Sequence, residues 1–175
     1  MATQALMPVE EYLRKHFEDR EPEYRDGILE ERAMPKFIHG QIQILIGIFL
    51  GVPVLAGRLA VVSETRLRLR EGRYVLPDVA IFEGPENEEI PSRPPLAVIE
   101  ILSEGESMPE VLAKLAEYHA WGVKDVWLID PDKRRCQVFD GVNLNSRAAL
   151  SLPEYGVSIL GTDLFTAADR LAPKR

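Results

Sequence analysis

Glu100 is the residue whose setting demands a chemical explanation. It stands inside Leu96-Ala97-Val98-Ile99-Glu100-Ile101-Leu102, a run that is apolar on both alternating faces and so reads as a central strand covered on each side. Even a neutral polar group left without a partner there costs roughly 2–7 kcal/mol, and an ionised carboxylate needs a cation or donor to meet it. Two readings stand: a structural glutamate paired with one basic residue or turned out at a sheet edge, or one of a set of metal-holding acids. Asp78 adds weight to the second. It follows Pro77 and opens the apolar segment Val79-Ala80-Ile81-Phe82, which sets it at a strand end, although Pro-Asp pairs are also frequent in turns. Two carboxylates on adjacent strands can hold one hard divalent cation through oxygen, and such an ion activates water and stabilises charge on a phosphate. Lys114 is the third candidate. On a helix Val111, Leu115, Tyr118 and Gly122 share one face, and Lys114 borders it, so its stem can run along apolar surface toward the sheet; the alternative is a lysine that faces solvent.

The elements that must position these residues follow from the hydrophobic pattern. A short helix is expected over Val9 to Phe17, after Pro8 and with Glu10 and Glu11 in its first turn. Asp26-Gly27 between short segments from Glu23 to Glu30 reads as a hairpin. A second helix starts near Phe37 and carries Ile38, Ile42, Leu45, Ile46 and Phe49 at helical spacing. From Leu59 to Phe82 the period is that of strands, with Gly72 turning Arg66–Arg70 back into one segment from Tyr74 to Phe82. The Pro-rich, acidic stretch Glu83 to Pro95 reads as an exposed, mobile loop. After the Glu100 strand come a helix from about Pro109 to Trp121 closed by Gly122, and a second buried strand, Asp125 to Asp130. That order predicts a parallel crossover. A turn over Pro131 to Arg134, a strand over Cys136 to Phe139, further short strands and a helix near Asp163 to Leu171 complete an α/β chain with a central mixed sheet.

Composition sets outer limits. The 175 residues fit one domain, with a region of helix, hairpin and helix at about 8–50 and a core at about 59–139. No apolar run approaches the roughly 20 residues of a membrane span, and no basic start leads into an apolar core as in a signal peptide, so a cytoplasmic location follows by default. Cys136 is the sole cysteine, which excludes an internal disulfide and a thiolate metal cluster. The net charge of −7 argues against strong non-specific binding to nucleic acid, but carboxylates of a metal site count as negative until their ion arrives.

Taken together, Pro77-Asp78, the strand Val98-Ile99-Glu100-Ile101-Leu102-Ser103, Lys114 to Tyr118, Gly122-Val123 and Val126-Trp127-Leu128-Ile129-Asp130-Pro131 resemble the Uma-two family of restriction endonucleases, within the wider PD-(D/E)XK nuclease fold. The segment Glu23-Tyr24-Arg25-Asp26-Gly27-Ile28-Leu29 and the helix after His39 are similar to that family's opening hairpin and helix, so the resemblance covers most of the chain. It implies a restriction-endonuclease-like fold, a central mixed sheet flanked by helices. It also implies that Asp78 and Glu100, with the backbone carbonyl of Ile101, hold Mg²⁺ or Mn²⁺. The lysine that often follows the glutamate by two residues in this fold is replaced here by Leu102, and Lys114 matches the place from which related families supply it. Its implied role is to orient or deprotonate the attacking water or to steady charge on phosphorus. Ser103-Glu104-Gly105-Glu106-Ser107 departs from the family's usual Ser-Pro sequence, and Glu110 stands where an aspartate is usual. His39 matches a family position but is read as a capping or packing residue.

Arg66, Arg68 and Arg70 alternate with Leu67 and Leu69 and form either a phosphate-contacting stripe or the solvated face of a half-buried hairpin. The functional expectation is therefore a metal-dependent endonuclease acting on nucleic acid, DNA in preference to RNA, with a homodimer possible and no membrane partner. The competing expectation is a catalytically silent member of the fold that uses its acidic surface to bind a protein. No nucleophile elbow, phosphate-binding glycine loop or paired-histidine zinc motif supports another hydrolase.

Overall fold

The computed structural model describes residues 6–171. Helix α1 (Val9–Arg14) leads to a hairpin of β1 (Glu23–Arg25) and β2 (Ile28–Glu30), then to α2 (Phe37–Phe49) and the short α3 (Gly51–Leu55). Strands β3 (Leu59–Val62), β4 (Leu67–Arg70), β5 (Arg73–Val75), β6 (Val79–Glu83) and β7 (Ala97–Ile101) follow. After helix α4 (Met108–Trp121) come β8 (Asp125–Asp130), β9 (Arg135–Phe139), β10 (Leu144–Arg147), β11 (Ala149–Leu152), β12 (Val157–Leu160) and α5 (Gly161–Leu171).

A six-stranded sheet ordered β10-β9-β8-β7-β6-β3 carries the architecture. Its β7–β8 pair is parallel, joined through α4 as the crossover reading required, and the other pairs are antiparallel. Alternation along the strands divides the core between two faces. Ile81, Ile99, Trp127 and Ile129 pack with the inner faces of α2 and α5, while Ala80, Val98, Val126 and Leu128 pack with Val111, Leu115 and Tyr118 of α4. Glu100 has the parity of Val98 and so faces α4. Helix α4 begins where the Ser107 hydroxyl accepts the Glu110 amide proton, and it stops at Gly122, whose φ of 110° suits a residue without a Cβ.

A second sheet, ordered β2-β1-β5-β4, corrects one expectation. The segment from Tyr74 to Phe82 is not one strand but two, β5 in the small sheet and β6 in the large one. Pro77 has no amide proton to continue a ladder, so the chain leaves one sheet at Leu76 and enters the other after Asp78. Asp26 and Gly27 both take positive φ, 48° and 94°, as the tight hairpin turn demands. Helix α1 ends at Arg14 rather than Phe17; Lys15 is extended, and Phe17 folds back against Tyr12 with ring centroids 5.9 Å apart. Among the described residues no helix is long and apolar enough to cross a membrane.

Candidate active site

Two strand ends and one helix bring the three sequence candidates together. The register Val79↔Ile99, continued by one residue, sets Asp78 across from Glu100 on neighbouring strands. Lys114 reaches over from α4, its Nζ 3.0 Å from Glu100 Oε1. All three, with Ile101, line a cleft of about 480 Å³. The Tyr118 hydroxyl, one helical turn beyond Lys114, donates to the same Glu100 oxygen at 2.7 Å. Burial pushes the Glu100 carboxyl up to about 7, helped by the carboxylates of Asp78 and Glu23 and opposed by Lys114 and Tyr118.

Asp78 is almost wholly buried. Its Oδ2 accepts the backbone N–H of Ile101 at 2.7 Å. Its Oδ1 lies 3.0 Å from His39 Nε2 and 3.5 and 3.6 Å from the guanidinium groups of Arg20 and Arg32. Burial works to raise its pKa, but His39, Lys114 and the Ile101 amide outweigh that and hold Asp78 below the usual carboxylate range. At Lys114 burial favours the neutral amine, yet Glu100, Glu23 and Asp78 prevail and keep the ammonium more strongly protonated than usual. This environment suits a fixed cation better than a general base.

Sequence reasoning missed three partners. Glu23, at the start of the hairpin, is the nearest acid to Lys114, with Oε1 2.6 Å from Nζ. The Leu76 amide donates to it at 3.2 Å, and Arg73, 3.0 Å away, anchors its other oxygen. Tyr118 was read only as core. His39 is no cap, since Lys36 holds the cap position of α2; it is buried against Asp78, and its Nδ1 lies 3.1 Å from Ser103 Oγ. Its Nε2 has no well-directed hydrogen-bond partner despite its closeness to Asp78. With Glu64 and Asp78 it offers ligand atoms that all lie within 4.8 Å of one another, although Glu64 is already paired with Arg20 and Arg32.

The other sequence features sort by contact. Glu104 pairs with Lys36 at the surface, and Glu106 accepts the Ser103 amide proton at 2.7 Å, so this acidic loop is tied back by its own backbone. Arg66 pairs with Glu21 and stacks over the Tyr12 ring, Arg70 grips Asp26, and none of the three alternating arginines lines the cleft.

The donor set of Asp78, Glu100 and the Ile101 carbonyl consists of hard oxygens, which fit Mg²⁺ or Mn²⁺. Burial is the main cause that holds Glu100 up, and the carboxylates of Asp78 and Glu23 add to it; a dication between the acids would oppose both. His39 Nε2, buried 3.0 Å from Asp78 Oδ1, is a nitrogen beside this set that Mn²⁺ accepts more readily than Mg²⁺ does.

The fold is restriction-endonuclease-like. It matches the crystal structure described as a "putative nuclease belonging to DUF820" from Anabaena variabilis, with a TM-score of 0.78 and 22% identity over 93% of this chain and 99% of the other. The model of the Uma-two family, described as "Putative restriction endonuclease", matches residues 9–166, and the chain belongs to that family. A chain of a cryo-EM DrdV–DNA complex is a distant third likeness, with a TM-score of 0.35 and 12% identity over 78% of this chain and 14% of that one. No protein of curated function matches.

Proposed function

We propose that the chain is a divalent-metal-dependent nuclease that hydrolyses phosphodiester bonds of nucleic acid, DNA in preference to RNA. The observation that carries this reading is the convergence of Asp78, Glu100 and Lys114, from the entry to β6, from β7 and from α4, into one cleft. Family membership supports it. Asp78, Glu100 and the Ile101 carbonyl would hold Mg²⁺ or Mn²⁺, with His39 beside them. When bound, the ion supplies Lewis-acid polarisation of the phosphate and lowers the pKa of water. The chain's own residues do the rest. Lys114, clamped between Glu23 and Glu100, presents a positive charge at a set place, where it orients water or steadies charge on phosphorus. Tyr118 and Lys114 both hold the same oxygen of Glu100 and so fix the carboxylate at the cleft. The Ile101 amide turns Asp78 so that its second oxygen faces His39.

A second reading has a specific observation behind it. Arg20 and Arg32 lie against the Asp78 oxygen that an ion would use, as expected of a silent family member whose site has become a buried ion-pair cluster. The test compares cleavage of a panel of single- and double-stranded DNA and RNA, with Mn²⁺, Mg²⁺ or chelator, by wild type and Lys114→Ala. The nuclease reading expects metal-dependent cleavage that falls by about 10²-fold or more in the variant, while calorimetric Mn²⁺ binding is largely kept. Equal loss of cleavage and ion binding would make Lys114 a purely structural support, and no cleavage of any substrate by wild type would favour the silent reading.

A further inference from the structure

Helix α2 has two faces of very different fate. Ile42, Leu45 and Ile46 are buried in the core, and His39 and Gln43 touch Asp78. The outer face carries Phe37, Ile44 and Ile48 and continues onto α3 with Val52 and Leu55; exposure reaches 68% at Ile44 and 91% at Leu55. From Phe37 to Gly57 there is no Asp, Glu, Lys or Arg, in a chain that is 28% charged. Solvated helix faces are normally polar. A contiguous apolar patch rimmed by polar surface marks a contact.

We propose that this face is the seat of a second copy of the chain, joined about a twofold axis. The surface complements itself. Gly40, Gly47 and Gly51 lie among the protruding isoleucines, and a Cβ added at any of them would meet nothing within 4 Å. Knobs and hollows therefore share one surface, as an isologous contact between two copies requires, and the glycines let two helix backbones approach closely. Area agrees. Fully burying an aliphatic or aromatic side chain removes roughly 60–120 Å² from water. The five side chains then supply roughly 300–600 Å² per copy, the apolar centre of an interface of about 800 Å² per partner. Charge agrees as well. Two molecules of net charge −7 repel wherever their acidic surfaces meet, and this uncharged face lets them touch without that cost. An interfacial membrane helix would instead carry Lys and Arg on a polar face, which α2 lacks. Because His39 and Gln43 project from the opposite side of α2, pairing here leaves both clefts open.

The experiment is sedimentation equilibrium of the full chain over a micromolar range, with Ile48→Glu beside wild type. Ile48 is exposed, so the fold is expected to survive, and far-ultraviolet circular dichroism checks that it does. The proposal expects a wild-type dimer and a monomeric Ile48→Glu chain. It also expects Ile48→Cys to form a covalent dimer under mild oxidation, since Cys136 is buried and silent. A wild type monomeric throughout, a dimer untouched by Ile48→Glu, or a monomer that floats with phosphatidylcholine vesicles would overturn it. None of these readouts depends on cleavage, so the proposal stands or falls apart from the nuclease reading.

Discussion

At Glu100 three carboxylates and one ammonium share a largely buried space, so its titration reports on the whole site. The unfolded chain ionises this group near the ordinary glutamate value of 4.5, and the folded protein near 7. The folded state thus binds the proton more tightly. Stability from this group is complete below about pH 4.5 and is lost as pH rises through about 7, an effect of about 3 kcal/mol for a group this buried. Thermal melts of ion-free wild type should fall over that window relative to Glu100→Gln, and Mn²⁺ should restore wild type at the upper end; parallel curves for the two proteins would contradict the assignment. Lys114→Ala should cost about 3 kcal/mol in denaturant unfolding, because it leaves the buried Glu100 without its cation and Glu23 with Arg73 alone. Glu100 was legible because an acid inside an aliphatic run is an outlier; for Lys114 helical spacing left a solvent-facing lysine open, and the family resemblance marked its place. Glu23 and His39 were not legible, since their meaning lies in partners 91 and 39 residues away (Lys114 and Asp78), and nothing in their immediate neighbours marks them.

At the scale of elements, the site depends on where strands stop. The large sheet, its parallel crossover and α4 were readable from period and from the glycine after Trp121. The division of Tyr74–Phe82 was not, although Pro77 carried the signal: a missing amide proton says that a ladder breaks, but not that the chain changes sheets there. That break positions the candidate site, since it sets Asp78 across from Glu100 and turns the Leu76 amide toward Glu23. Gly122 has an equally specific duty. Its φ of 110° is strained for any residue with a Cβ, while the Pro94 ring would only touch the added methyl, so Gly122→Ala should lower stability by about 1–2 kcal/mol in equilibrium denaturation. An unchanged midpoint would mean that the turn after α4 relaxes at no cost.

For the whole molecule, the balance of charge shapes how a substrate would be held. The cleft contains Arg20, Arg25, Arg32 and Arg73, but each is already paired, with Glu64, Glu30 or Glu117. With net charge −7 besides, affinity for nucleic acid should depend weakly on salt, with a log–log slope no steeper than about −3, a few phosphates' worth. Fluorescence anisotropy across a salt series measures it, and a steep slope would reveal a basic surface that this arrangement does not contain. The central claim, that Asp78 and Glu100 form one cation site, is met most directly by titration calorimetry of Mn²⁺ into wild type and Asp78→Asn. The asparagine oxygen can still accept the Ile101 amide proton and so preserves the strand pair. The account predicts saturable binding of about one ion per chain in wild type, lost in the variant. Equal binding by both proteins, or none by wild type, would contradict it.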